Sequence, residues 1–144
     1  MDAKDPINSL LEVLEKDKKQ FVRFLDKIIR IGVKIFNSTE ELQEELVGFD
    51  DVYQTCIKDV NFDYWFKVSN GKIEYQRGIN PEALFKINHT SDMVIKILKG
   101  ETSGTDAFMR GKLNVEGDLT QGLRYVKLFR MFFKYIQKKN HSAN

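Results

Sequence analysis

The segment Gly100–Asp118 reads G-E-T-S-G-T-D-A-F-M-R-G-K-L-N-V-E-G-D and decides the fold of the second half of the chain. It contains four irregularly spaced glycines, which favour the ends and turns of helices and strands. Between the glycines, the pattern predicts a short helix over Thr105–Arg110 and an alternating strand over Lys112–Gly117. The segment holds no histidine, no cysteine and no paired carboxylates, so it offers no catalytic group.

The composition is that of a globular protein with one domain. The chain has 144 residues, of which 42% are hydrophobic and 31% charged, and this fits a single core. Its 23 basic and 21 acidic residues give a net charge of +2, so the basic excess that nucleic-acid binding requires is absent. Cys56 is the one cysteine in the sequence, which excludes an intrachain disulfide and a cysteine-based zinc site.

The ends of the sequence show no targeting pattern. The acidic start Met1–Asp5 lacks the basic and apolar regions of a signal peptide. Lysine and arginine interrupt the apolar stretches well before they reach the ~18 residues that a membrane-spanning helix needs. The final residues His141–Asn144 differ from a peroxisomal address. We therefore expect a cytoplasmic protein.

The first quarter of the sequence predicts helix. Apolar residues recur three and four positions apart from Ile7 to Ile35, as they do along one face of an amphipathic helix. The pattern is interrupted over residues 16–19, so it predicts either one long helix or two shorter ones. The apolar face fits packing on the core, and it also fits a dimerisation seam, although Lys18 and Gly32 weaken the seam.

Five strands are predicted from residues that alternate between apolar and polar side chains. Their approximate positions are 53–57, 62–68, 73–77, 84–89 and 112–117. Asn70 and Gly71 predict a tight hairpin between the second and third strands, because both residues accept the positive φ angles that the turn requires.

Helices surround these strands in the predicted order. They are expected to begin at Asp5-Pro6, at a capping box of Ser38 and Glu41, at Thr90 or Ser91, near Thr105, and at Asp118. Together the elements predict an α+β fold of two layers, in which helices pack on one face of a five-stranded mixed or antiparallel sheet.

The last predicted helix carries more apolar surface than a helix on a sheet requires. Its apolar residues cover about half of a helical wheel, whereas a stripe of ~100° suffices for packing on a sheet. These residues are Gly122, Tyr125, Val126, Leu128, Phe129, Phe132, Phe133, Tyr135 and Ile136. The excess surface has to meet the N-terminal helices, a second subunit or a bound apolar molecule. The same distribution of residues is also compatible with a well-filled aromatic core.

Several of these pieces, taken in order, resemble the sterol carrier protein type 2 family. The matching residues are Tyr64-x-Phe66-x-Val68-x-Asn70-Gly71, Met93–Leu98 with Gly100, Asp106-Ala107-Phe108-Met109, Gly111-Lys112-Leu113 and Val115-Glu116-Gly117-Asp118. The resemblance covers about residues 38–137. It divides the chain into a helical extension at residues 1–37, expected to pack on the domain, and a lipid-binding domain at residues 38–144.

The resemblance implies a non-catalytic carrier that holds a lipid in a hydrophobic tunnel between helices and sheet. The ligand would be a fatty acid, a fatty acyl-CoA or a sterol-like molecule, and no metal or cofactor is implied. The residues implied to line the tunnel are Met93, Ile97, Phe108, Met109, Leu113, Val115, Val126, Phe129, Phe133 and Ile136. The alternative is a non-catalytic interaction or dimerisation module with the same fold and a filled core.

Basic residues of the last helix are predicted to face away from its aromatic residues. They are Arg124, Lys127, Arg130 and Lys134. Such a face attracts an anionic membrane surface, and it is equally typical of a solvated helix end, where cations are favoured. The predicted partners are thus an apolar lipid and, in transient contact, an anionic membrane. A homodimer is left open, and no nucleic acid is predicted.

Overall fold

The fold is described by a computed structural model over residues 6–142, with side chains described for residues 9–132, 134 and 135. The helices are α1 (Pro6–Lys16), α2 (Lys18–Ser38), α3 (Glu40–Glu45), α4 (Ser91–Leu98), α5 (Gly104–Met109) and α6 (Leu119–Ser142). The strands are β1 (Asp51–Ile57), β2 (Phe62–Ser69), β3 (Lys72–Arg77), β4 (Phe85–His89) and β5 (Asn114–Gly117). The helix start predicted at Asp5 lies outside the described residues.

The strands form one mixed sheet in the order β3-β2-β1-β4-β5. β1 runs parallel to β4, and the other neighbouring pairs are antiparallel. The predicted hairpin joins β2 to β3, with positive φ at both Asn70 and Gly71. The predicted α+β class, with a five-stranded mixed sheet and helices, is confirmed.

One face of the sheet, called the inner face below, is apolar and carries the long helices. Tyr53, Thr55 and Ile57 of β1 share this face, in register with Phe66, Tyr64 and Phe62 of β2. α2 packs over β3, whereas α6 packs over β1 and β4. The layer between these helices and the inner face contains the hydrophobic core.

The N-terminal helical pattern is divided into two helices at Asp17. The side chain of Asp17 accepts hydrogen bonds of 3.1 Å from the backbone N–H groups of Lys19 and Gln20. These bonds satisfy donors that the first turn of α2 cannot satisfy internally, so a new helix begins at Lys18.

Both N-terminal helices contribute to the core. Leu11 and Leu14 of α1 and Phe21 and Phe36 of α2 are buried in the same cluster as the inner face of the sheet. At the edge of the sheet, the amide side chain of Asn37 accepts from and donates to the backbone of Ile73, at 2.8 Å each. This pair takes the place of a neighbouring strand, so α2 covers part of the open edge of β3.

One predicted helix start was wrong in its details and another was confirmed. The capping box predicted at Ser38 does not form, because the Ser38 hydroxyl donates to the carbonyl of Lys34 at 2.7 Å and Thr39 is the N-cap of α3. The side chain of Asp118, in contrast, caps α6 as predicted by accepting from the N–H groups of Thr120 and Gln121.

The start of α4 is capped by Asp59, a residue distant in sequence. The carboxylate of Asp59 accepts from the backbone N–H of Ser91 at 2.8 Å and from its hydroxyl at 2.6 Å. It also accepts from the ammonium group of Lys18 at 2.7 Å, at the start of α2. Burial acts to raise the pKa of Asp59, but the bonds from Lys18 and Ser91 outweigh it and lower the pKa to about 2.

Asp59→Asn tests this cap. We expect the free energy of unfolding at pH 7 to fall by about 1 kcal/mol, because the amide loses the charge-assisted bonds to α4 and Lys18. The stabilisation is present above the ordinary carboxyl pKa of 3.8 and is lost as the pH falls towards 2. Urea unfolding of both proteins between pH 7 and pH 2.5 should therefore show a difference that narrows in acid.

Asp92→Asn is the matched control, since Asp92 is an exposed carboxylate in the first turn of the same helix. It should change stability by less than about 0.5 kcal/mol. Equal losses in the free energy of unfolding for the two variants at pH 7 would contradict the role of Asp59 as the cap of α4.

Candidate functional site

The residues predicted to line a lipid site lie on four elements. Met93 and Ile97 are on α4, Phe108 and Met109 on α5, Leu113 and Val115 at β5, and Val126 and Phe129 on α6. Phe133 and Ile136 also belong to α6, but their side chains lie outside the described residues.

Part of this set is brought together over β4 and β5. Val115 is directly opposite Ile87 on the inner face. The ring of Phe108 packs on Phe85 with centroids 6.2 Å apart, and α5 lies against α6. Phe129 of α6 joins the same region through the ring of Tyr125, at 4.8 Å.

The two α4 residues occupy a different neighbourhood. The main contacts of α4 are with α1 and with the turn at residues 58–60. Met93 and Ile97 are half-buried there, whereas Ile95 between them is fully buried in the core. The described contacts therefore do not join Met93 and Ile97 to the group around Phe108.

The predicted site residues are incompletely buried. Val126 is buried, but the remaining described members range from half-buried to exposed, and Met109 is 71% exposed. The half-buried members are Met93, Ile97, Phe108, Leu113, Val115 and Phe129. Apolar surface thus remains accessible on the β5 side of the molecule.

The other half of the inner face is closely covered. Its side chains on β2 and β3 are all less than 10% exposed: Phe62, Tyr64, Phe66, Val68, Ile73 and Tyr75. They are covered by α2, and the hydroxyl of Tyr75 donates to the carboxylate of Asp26 at 2.6 Å. Among the strands, the inner face is therefore fully buried over β2 and β3, whereas Val115 of the edge strand β5 is half-buried.

Tyr125 stands at the boundary between the two halves. Its ring stacks on Tyr53 with centroids 4.4 Å apart and planes inclined by 8°. It also packs edge-on against Phe66 at 6.0 Å and Phe85 at 6.3 Å, one on each side. Tyr125 is completely buried, so the centre of the layer is filled by aromatic rings.

A glycine allows α6 to lie this close to the sheet. A Cβ atom placed on Gly122 would come within 2.5 Å of the ring of Phe85. Any other residue at this position would have to move α6 away from β4 or displace that ring.

Three hydroxyl groups lie within the apolar layer. Those of Thr55 and Tyr125 share a hydrogen bond of 2.7 Å, and the hydroxyl of Tyr64 lies close to both. Burial raises the pKa of Tyr64 to about 12 and raises the pKa of Tyr125 well above its usual value. These hydroxyls are uncharged at neutral pH, and those of Thr55 and Tyr125 satisfy each other.

Arg124 anchors α6 to the start of β1. Its guanidinium donates two hydrogen bonds to the carboxylate of Asp51, at 2.6 and 2.9 Å, and the hydroxyl of Tyr53 donates to the same carboxylate. Burial acts to raise the pKa of Asp51, but the bonds from Arg124 and Tyr53 lower it. Because Arg124 is paired with Asp51, it does not belong to the basic face predicted for α6.

The other predicted basic residues are exposed. The ammonium group of Lys127 lies 5.9 Å from the centre of the Phe49 ring and 3.9 Å from the carboxylate of Glu45. Arg130 donates to the hydroxyl of Thr105 on α5 at 3.2 Å. Lys134 lies further along α6. Within residues 6–142, none of the helices carries an apolar stretch long enough to cross a bilayer.

Sequence reasoning missed the importance of Tyr125, Phe85 and Ile87 at this site. Tyr125 was predicted within the apolar arc of the last helix, and Phe85 and Ile87 on one face of the fourth strand; this was the available signal. Their positions next to Phe108, Val115 and Phe129 depend on strand order, which the alternation of side chains did not reveal.

The sequence matches the family model described as the SCP-2 sterol transfer family over residues 33–130. The match begins within α2 and includes every strand of the sheet. The chain belongs to the SCP-2 sterol transfer family. This membership confirms the resemblance noted in the sequence and supports a lipid-binding or lipid-transfer domain.

Solved structures share the fold of this SCP-2 domain. A crystal structure of sterol carrier protein 2 matches with a TM-score of 0.57 and 16% identity, covering 73% of this chain and 89% of that one. The apo form of sterol carrier protein 2 from Yarrowia lipolytica matches with a TM-score of 0.52 and 17% identity, covering 71% of this chain and 84% of that one. At these identities, the likeness concerns the fold.

A larger enzyme contains a similar fold. The sec-alkylsulfatase Pisa1 from Pseudomonas sp. matches with a TM-score of 0.50 and 21% identity over 60% of this chain. The chain spans only 14% of the length of that enzyme. A search of curated proteins found no match.

Arg124→Met tests how α6 of the SCP-2 domain is anchored. We expect the free energy of unfolding to fall by on the order of 3 kcal/mol, because the buried carboxylate of Asp51 loses its cationic partner. The double variant Asp51→Asn, Arg124→Met should recover part of this loss. Urea unfolding measures both effects.

Arg130→Met is the control, because its exposed guanidinium donates to a hydroxyl at the surface and is paired with no carboxylate among the described side chains. Its effect should stay within about 0.5 kcal/mol. An equally small effect of Arg124→Met would show that the ion pair contributes little to the position of α6.

Proposed function

We propose that this protein is a carrier that binds a fatty acid, a fatty acyl-CoA or a sterol-like lipid without acting on it chemically. Family membership supports an apolar ligand. The observation that carries the proposal concerns the β5 edge of the inner face: strand side chains over β2 and β3 are fully buried, whereas Val115 of β5 and the neighbouring Phe108 and Phe129 are half-buried.

The proposed site lies over β4 and β5, between α5 and α6. Phe108, Val115 and Phe129 form its walls, and Phe85 and Ile87 form its floor. Half-buried apolar groups at these positions leave surface that a lipid chain would remove from water. This location is narrower than the tunnel expected from the sequence, because stacked rings fill the centre of the layer.

The energetics favour an elongated apolar ligand. Each methylene transferred from water contributes about 0.8 kcal/mol, so a chain of about sixteen carbons provides a gross gain of roughly 10 kcal/mol. Ordering of the ligand and of the protein reduces this gain. Discrimination between chains of similar length should be modest, since a hydrophobic wall distinguishes one methylene weakly.

α5 is the element best suited to move for ligand entry. It is six residues long, and Gly100 and Gly111, both with positive φ, lie before and after it. α6 is tied to β1 by Arg124, and α1 and α2 supply buried core residues. A displacement of α5 would therefore disturb less packing than a displacement of any of the long helices.

The alternative function is an interaction or dimerisation module with a filled core. The stacked rings of Tyr53 and Tyr125 favour it, because they fill the centre of the layer without a ligand. The exposed apolar side chains of Leu119 and Leu123 on α6 are also compatible with a protein partner.

Lipid content distinguishes the two functions. Protein purified under native conditions should release stoichiometric lipid into organic solvent, as identified by mass spectrometry. The purified protein should also take up a fluorescent fatty acid that unlabelled fatty acid displaces. A dimer that contains no lipid and takes up no fluorophore would contradict the carrier function and favour the module.

Val115→Phe locates the site. We expect it to weaken uptake of the fluorescent fatty acid by about tenfold, because the added ring occupies space facing Ile87. Asn114→Phe is the matched control, since Asn114 is exposed on the same strand and faces the opposite side of the sheet. Equal uptake by the two variants would place the site elsewhere.

A further inference from the structure

We infer that the ring of Tyr125 closes the lipid site on the side of the sheet centre and thereby sets the longest apolar chain that the site admits. The inference rests on the proposed carrier function and assigns a specificity-determining residue within it. Tyr125 was predicted to be part of the apolar arc of α6 and was not among the residues implied to contact lipid.

The ring of Tyr125 separates two regions of the inner layer and is called the partition below. Phe66 of β2 lies on one side of it and Phe85 of β4 on the other, with ring centroids at 6.0 and 6.3 Å. The half-buried apolar residues Phe108 and Val115 lie on the Phe85 side. On the Phe66 side the rings of Tyr64 and Tyr75 fill the space, at 5.6 Å from that of Phe66.

Several contacts hold the ring in this position. It stacks on Tyr53, and its hydroxyl bonds with Thr55 at 2.7 Å. Turning the ring away would break the stack and deprive the buried hydroxyl of Thr55 of this partner. The preceding residue, Arg124, is bound to Asp51, so the backbone of α6 cannot readily carry the ring away.

A chain entering beside α5 therefore meets this ring after passing Phe85. Its end stops at this ring. Removing the ring lengthens the site by the space that the ring occupied, because the rings of Tyr64 and Tyr75 fill the space beyond Phe66. The consequence is an upper limit on ligand length that is set by one side chain, although the walls of the site discriminate weakly among chains shorter than this limit.

Tyr125→Leu removes the partition while keeping an apolar side chain. The delipidated protein is mixed with equimolar saturated fatty acids of about ten to twenty carbons, and the bound species are counted by native mass spectrometry. We expect the mean bound length to increase by about two to four carbons, since leucine has about four fewer non-hydrogen side-chain atoms and leaves a cavity.

Two controls separate the partition from other effects. Tyr125→Phe keeps the ring and should keep the wild-type length profile. Phe62→Leu shortens a completely buried aromatic residue on β2, away from the proposed site, and should also leave the profile unchanged. A shift in Tyr125→Phe or Phe62→Leu equal to that in Tyr125→Leu would overturn the assignment to the ring of Tyr125.

The outcomes distinguish this inference from the function on which it rests. If the wild-type protein binds no fatty acid of any length, both the carrier function and the role of Tyr125 are overturned. Wild-type binding with an unchanged length profile in folded Tyr125→Leu overturns only the role of Tyr125, and the carrier function stands.

If Tyr125→Leu does not fold, an NMR measurement on the wild-type protein tests the inference. Intermolecular NOEs from 13C-labelled palmitic acid should reach Val115 and Phe108 and should be absent at Ile73 and Tyr75 of β3. NOEs to the β3 residues would show that the chain passes the ring, and they would overturn the inference.

Discussion

The contact between α6 and β1 is the constraint on which the rest of the structure depends. The ring of Tyr125 stacks on that of Tyr53, and Arg124, the preceding residue, binds the buried carboxylate of Asp51 on the same strand. Gly122 removes the side chain that would keep α6 from the ring of Phe85. Aromatic packing, a charge-assisted pair and a glycine thus act within one turn of a helix. Together they determine the distance and rotation of α6 over the sheet.

The helices beside α6 cover the two sides of the inner face unequally, and this difference supports the proposed function. On the side of β2 and β3 the layer is completed by α2, whose residues Phe21 and Phe36 are buried in the core. On the other side lies α5, a helix of six residues whose Phe108 packs on Phe85 of β4, and here Phe108 and Val115 are half-buried. A short helix cannot cover as much apolar surface as a long one. The uncovered side is therefore where an apolar ligand gains most from binding.

Sequence reasoning identified some residues of the site and misassigned others. Phe108, Val115 and Phe129 were identified through the family resemblance, and the structure places them around one region of the inner face. Met109 was included with them but is exposed, because consecutive residues of a helix point about 100° apart and its neighbour Phe108 faces Phe85. Arg124 was assigned to a basic surface because its partner, Asp51, is 73 residues away in sequence. Helical spacing reveals which residues share a face and does not reveal what that face meets.

The amino-acid sequence by itself determined the order of helices and strands, the hairpin at Asn70-Gly71, the cap at Asp118 and the family. Each depends on the local φ preferences of the chain, on the period of its apolar residues, or on a motif that is continuous in sequence. The tertiary structure alone decided that Asp59 caps α4, that Asn37 covers the edge of β3 and that Tyr125 divides the inner layer. These features join residues 32 or more positions apart, so they exist only after strand order and helix packing have brought the partners together.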